Sequence, residues 1–297
     1  MSGPYELHAP LRPVEGGALV VHFSGWIDAS GAAAAVIDLV REHCELERLA
    51  TFDPDVFIDY RARRPVMELR DGVVERLVWS EIELLQGVDP NGTPVLLLTG
   101  AEPDAQWRSF ADAVCELAVE LRIGRSVSIG AYPFATPHTR PTRLACTASD
   151  PAVVAGLPYH RGSADVPAGM ATALQTRLAE RGIAGLGLWA QVPHYVSTMN
   201  YPSASIALVE GLRRHAGLSL PTGELLRDAV LQQQRIDQLV SGNDEHETMV
   251  RQMELLHDRT VGDEAEAEDR GDPMPDELPS ADDLAAEVER FLRDQGA

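Results

Sequence analysis

Residues 18–31 read Ala-Leu-Val-Val-His-Phe-Ser-Gly-Trp-Ile-Asp-Ala-Ser-Gly, and they decide the fold. The run from Ala18 to Phe23 is apolar apart from His22, the pattern of a parallel strand buried on both faces and not the alternation of a half-exposed one. A short turn of small and polar residues follows. Ser30-Gly31 then opens an Ala-rich stretch that predicts a helix to about His43.

The same unit recurs. Pro94–Thr99 is a second buried strand; it passes through Thr99-Gly100-Ala101-Glu102-Pro103 into a helix predicted over 104–122, with Trp107, Phe110, Ala111, Val114, Leu117, Ala118 and Leu121 at helical spacing. Ile183–Ala190 is a third, running into Trp189-Ala190-Gln191-Val192-Pro193-His194-Tyr195 and then a helix over Ser203–Ala216. Weaker strand signals at Arg125–Ala131 and Thr142–Thr147 flank a proline-rich loop that contains Pro137-His138-Thr139-Arg140-Pro141. Pro167–Arg181 reads as a helix stopped by Gly182. Val56–Ile58, Val66–Leu69 and Val73–Trp79 read as short strands, the last two joined by the turn signal Arg70-Asp71-Gly72. Strands alternating with helices predict an α/β fold with a mostly parallel sheet covered on both faces. In such a sheet the loops at the carboxyl ends of the strands share one edge, where ligands usually bind.

Past residue 217 no strand signal remains. Leu225, Leu226, Ala229, Val230, Ile236, Leu239 and Val240 stripe one helix, and Met249, Val250, Met253 and Leu256 stripe a second. The division expected is a core over 1–217, a helical hairpin over 218–261, an acidic disordered linker over 262–279 and a terminal amphipathic helix over 280–297.

The net charge of −21, about half of it beyond Val261, opposes binding to nucleic acid, and no stretch is apolar for the eighteen or so residues of a membrane span. Residues 1–13 do not read as a signal peptide, so the cytoplasm is the expected location. Three widely spaced cysteines give no disulfide framework or thiolate zinc site. Every basic side chain among the 25 is arginine, which excludes a P-loop lysine and a pyridoxal-phosphate Schiff base. With no HExxH, HxxE or GxSxG pattern, neither metal nor cofactor is expected.

The loop edge gathers the candidate ligand pocket: Trp26, Asp28, Gly100, Glu102, Trp107, His138, Arg140 and His194. Each has two readings. Asp28 or Ser30 either caps the following helix or, with the backbone amides there, faces an anion. Glu102 is either a base or hydroxyl ligand, or an acid favoured by a helix dipole. Arg140, held between prolines, either recognises a phosphate or carboxylate or pairs with an acid of the chain. No catalytic residue is assigned.

The same motifs carry a family resemblance. Phe-x-Gly-Trp-x-Asp-Ala at 23–29, Gly-x-Glu-Pro at 100–103, Tyr-Pro-x-x-x-Pro-His-Thr-Arg-Pro at 132–141 and Leu-Trp-Ala-x-x-Pro-His-Tyr at 188–195 resemble the bacterial, actinobacterial branch of the proteasome assembly chaperone family, second-chaperone type. Tyr201-Pro202-Ser203-Ala204 fits as well, so the resemblance spans about residues 7–217. It implies a three-layer α/β/α sandwich like that of purine nucleoside phosphorylases and a homo-oligomer (trimer or dimer); because the sequence holds no complete catalytic set, the favoured function is a non-catalytic assembly or interaction protein of this family acting through oligomer surfaces on a protein partner. The stretch Arg293–Ala297 departs from the hydrophobic-Tyr-x ending of several eukaryotic members, so docking of that kind is not expected here. The alternative is an enzyme or sensor that binds a small anionic or nucleoside-like ligand at the strand ends.

Overall fold

The computed structural model describes residues 4–270, with side chains to residue 262. Ten strands and eight α-helices are defined. In chain order they are β1 (Tyr5–Leu7), β2 (Ala18–Ser24), α1 (Ala32–His43), β3 (Glu47–Phe52), α2 (Pro54–Phe57), β4 (Val66–Arg70), β5 (Val73–Val78), β6 (Ile82–Val88), β7 (Pro94–Ala101), α3 (Trp107–Glu120), β8 (Arg125–Phe134), β9 (Leu144–Ala148), α4 (Pro151–Val154), α5 (Met170–Ala179), β10 (Ala184–Pro193), α6 (Pro202–Ala216), α7 (Gly223–Ser241) and α8 (Asp244–Arg270).

Eight strands form one sheet in the order β1-β3-β6-β7-β2-β8-β10-β9. Its centre, β7-β2-β8-β10, is parallel. Both β6 and β9 run against their neighbours; β3 runs with the centre and β1 against it, so five of the eight strands point one way. The apolar run of β2 now has its cause. Ala18 and Val20 face a layer built from α1 and α6, while Leu19, Val21 and Phe23 face the layer of α3 and α5. This is the expected three-layer sandwich with a C-terminal helical extension. The second face is densest around Phe110, whose ring packs on Phe52, Phe57 and Phe23 at centroid distances of 4.6, 5.2 and 5.8 Å.

Several local expectations change. Val56–Ile58 is not a strand: Asp53 accepts the amide of Asp55, Pro54 takes the first helical position, and the segment closes into the turn α2. The strands β3 and β6 escape the sequence pattern because Glu47, Arg48 and Glu83 interrupt it, and β1 because it is only three residues long with Glu6 at its centre. Glu83 is nonetheless buried, accepting Arg41 at 2.6 Å and Arg48 at 3.0 Å. The helix expected from Pro167 begins at Met170, where the Glu102 carboxylate accepts the first amide at 2.6 Å. Gly182 does close that segment, at φ +75°.

α7 lies along α6 and α8 folds back on α7, with Ile236, Val250 and Met253 buried. Asn243 caps α8 through the amides of Glu245 and His246. The expected linker from residue 262 is helical as far as Arg270, because Ala and Glu extend an existing helix without a new nucleation step. The remainder of that linker and the terminal helix over 280–297 lie outside the described residues.

The hairpin β4–β5 forms a separate two-stranded ribbon. Every residue of β5 is exposed.

Phe110 sets the packing of one whole face, so Phe110→Ala is expected to lower stability by about 3–5 kcal/mol. Urea unfolding followed by circular dichroism measures this.

Candidate functional site

All four loops expected at the ligand-binding edge do follow the parallel strands β2, β7, β8 and β10 and so share one end of the sheet. The candidate residues divide there into separate neighbourhoods and do not converge on one cavity.

Trp26, 40% exposed, lies over Gly169 beside the buried Glu102; a Cβ on that glycine would fall 2.8 Å from the indole and 3.1 Å from the carboxylate. His22, Ile129 and Trp189 complete a crevice of about 20 Å³, room for no more than a water molecule. Trp189 is laid flat on the sheet, where Gly130 leaves space that a Cβ would fill at 2.5 Å from its ring. Glu102 is spent on the start of α5.

Asp28 caps α1: its two oxygens accept the amides of Ala33 and Ala34, each at 2.9 Å, and one lies 3.8 Å from His22 Nε2. Burial alone would push its carboxyl up. The nearby His22 ring and the hydrogen bonds from the two amides outweigh that and hold it below its ordinary value. Ser30 does not cap the helix. It sits at φ 61°, its amide donates to Ser197 O at 2.6 Å, and its hydroxyl has no partner. Gly100 is required by pairing, since a Cβ there would meet Glu81 O at 2.1 Å. Trp107 donates to Pro103 O at 2.6 Å and opens onto a different groove, between α3 and α5.

His138, Thr139 and Arg140 form the second neighbourhood, and each meets a carboxylate of the helical hairpin. The His138 ring is 1% exposed, with Nε2 3.0 Å from Asp237 and Nδ1 2.6 Å from the Tyr195 hydroxyl, which also accepts the His138 amide at 2.9 Å. The tautomer that satisfies every atom carries its proton on Nε2, donating to Asp237, while Tyr195 donates to Nδ1. Burial raises the Tyr195 phenol, so its proton is present to donate. Thr139 donates to Glu254 at 2.5 Å. Arg140 makes a two-pronged pair with Asp258, 2.8 Å on each prong, and reaches Glu254 at 3.1 Å. Its reading is therefore an internal pair. His194 stays exposed at the edge beside Tyr195.

The hairpin partners Asp237, Glu254 and Asp258 were not singled out from the sequence. The signal present is spacing: Glu254 and Asp258 are one helical turn apart, on the border of the Val250–Met253 stripe. Among the described residues no group of three or more His, Cys, Asp or Glu side chains is placed to hold a metal.

The fold and this edge define an α/β/α protein with an appended helical hairpin fastened over part of its loop edge by carboxylates. The chain belongs to the PAC2 family, whose model matches residues 22–240. A PAC2 family protein from Streptomyces avermitilis is 33% identical, with 78% of this chain and 99% of that one aligned and a TM-score of 0.68. A protein of unknown function from Mycobacterium tuberculosis, Rv2714, is 30% identical over 90% of this chain and 93% of its own, TM-score 0.80. The M. tuberculosis proteasome-assembly chaperone homologue Rv2125 is 28% identical over 78% and 99%, TM-score 0.72. No curated protein matches the chain.

Two outcomes follow from these contacts. A carboxylate held below its ordinary value of 3.8 stabilises the fold fully above that pH and loses the contribution as pH falls through the folded value. Asp28→Asn is thus expected to cost about 1 kcal/mol at pH 7 and to flatten the acid limb of stability below about pH 4, measured by urea titration from pH 7 to 2.5. Arg140→Ala removes both hairpin pairs, and limited chymotrypsin digestion is expected to cut within 223–262 several-fold faster than in wild type.

Proposed function

We propose that this chain is a non-catalytic assembly factor that self-associates through the β4–β5 ribbon and acts on a protein partner, with proteasome subunits as the partner class. One observation carries the proposal. Val66, Met67, Leu69, Val73, Val74, Leu77, Val78 and Trp79 are each 42–65% exposed along one hairpin. An isolated two-stranded hairpin is marginal in water, and contiguous apolar patches of this kind mark interaction sites. A second copy is the natural cover, because Glu68 and Arg76, paired at 2.8 Å across the ribbon, already satisfy each other and leave the exposed apolar side chains as its main unpartnered feature.

The loop edge supports the same reading. Glu102, Asp28, His138 and Arg140 are engaged in bonds that hold helices and loops in place, and the crevice beside Trp26 is too small for a nucleoside. The partner class is drawn from the proteasome-assembly chaperone homologue, which aligns over 99% of its own length and 78% of this chain. We place the protein in the cytoplasm. No helix among the described residues is long and apolar enough to cross a membrane.

The test uses light scattering after gel filtration on the full chain at micromolar concentration. Wild type is expected to give a multiple of 32.3 kDa, a trimer or dimer, and Val74→Glu with Leu77→Glu the single-chain mass. Incubation with purified proteasome α subunits is then expected to speed formation of assembled rings on native gels, and the double variant to lose that effect. A wild-type monomer removes the self-association claim; unchanged ring formation removes the partner class.

A further inference from the structure

The layer of α3 and α5 carries a feature that the assembly role does not use. A groove of about 470 Å³ runs between the two helices, lined by Trp107, Ala111 and Asp112 on one side and Ala173, Thr176 and Arg177 on the other. Its floor is apolar and open because Ala111 and Ala173 face each other there, and small side chains leave a channel where larger ones would interlock. Trp107 forms one wall. Its indole is fixed by the 2.6 Å bond to Pro103 O and does not fold in to fill the space. The volume is that of a pocket which takes a ligand or a few anchoring side chains.

Most of the charge around the groove is already paired. Arg177 is held by Asp112 at 2.6 Å and by Glu180. Arg108 is exposed and has no carboxylate or hydrogen-bond partner among the described residues. An apolar floor beside one open cation matches an apolar stripe with an acid next to it.

The chain supplies such a stripe. Residues 280–297 place Leu284, Val288, Phe291 and Leu292 at helical spacing, with Glu287 one turn from both Leu284 and Phe291, and hold five acids against two arginines. Reach is sufficient. α8 meets the loop after β8 at Asp258, at the end of the sheet where α3 also begins. The helical layers on either side of a sheet lie roughly 20 Å apart, at about 10 Å per packed layer. The stretch of α8 from Asp258 to Arg270 leads away by at most about 18 Å. Residues 271–283 then span up to about 43 Å.

We propose that residues 280–297 of the same chain dock in the α3–α5 groove, with Phe291 and Leu292 between Trp107, Ala111 and Ala173 and Glu287 on Arg108. The groove is separate from the β4–β5 ribbon in sequence and in sheet, so the contact stands or falls without the assembly reading.

The test is limited chymotrypsin digestion of the full chain, with release of Leu292–Ala297 followed by mass spectrometry. Cleavage after Phe291 is expected to be about tenfold slower in wild type than in a synthetic peptide of residues 280–297. Ala173→Glu, which puts a charge in the groove, is expected to bring the rate close to the peptide's. Arg108→Glu, which repels Glu287, is expected to raise it about threefold, and Val230→Glu on α7 to leave it unchanged. If Ala173→Glu fails to fold, the exposed Arg108→Glu keeps the test, and its combination with Glu287→Arg is expected to recover protection. Wild-type cleavage at the peptide's rate, or protection kept in the folded groove variants, overturns the proposal. So does protection that falls away on dilution, which would assign the groove to a second copy.

Discussion

The buried imidazole of His138 ties three separate parts of the chain together. It leaves the loop after β8, receives the Tyr195 hydroxyl from the loop after β10, and reaches Asp237 on α7. A fully buried ring with an unmatched nitrogen would be costly, so each of these partners is required by the others. Thr139 and Arg140 extend the same fastening to α8. Apolar burial of Ile236, Val250 and Met253 supplies adhesion for the helical hairpin. The carboxylates supply register, because only one seating presents Asp237, Glu254 and Asp258 to three consecutive residues of the loop.

That fastening decides what the strand ends can do. In an open α/β sheet this edge is the usual place for a ligand. Here Asp28, Glu102, His138 and Arg140 are absorbed into helix starts and hairpin contacts, while His194 stays exposed, and the glycines at 130 and 169 are filled by indole rings. Among the described residues the apolar surface left open includes the ribbon set off from the main sheet, and Leu226, Val230, Leu231, Leu239 and Leu255 on the helical hairpin. The PAC2 family membership and the proteasome-assembly chaperone homologue among its structural neighbours point the same way.

Much of this was legible in the sequence. Fully apolar runs such as Ala18–Phe23 identify the central strands, because two covered faces leave no room for alternation. The Arg70-Asp71-Gly72 turn locates the ribbon. The antiparallel strands were harder: Arg48 and Glu83 look like surface residues in one dimension and become buried partners only when β3 lies beside β6. The loop motifs were correctly placed at one edge, yet whether Glu102 or Arg140 faces a ligand depends on partners 68 to 118 residues away. Local spacing carries no such information. From 262 to Arg270 the chain is helical where the composition resembles a disordered linker, because Ala and Glu are also good propagators of a helix already begun.

The central claim is that the exposed ribbon is covered in solution by another copy of the chain. Amide hydrogen exchange across residues 66–78 at micromolar concentration tests it most directly. The account predicts strong protection along both strands, falling away on dilution. Exchange at the rate of a free peptide, independent of concentration, would contradict it.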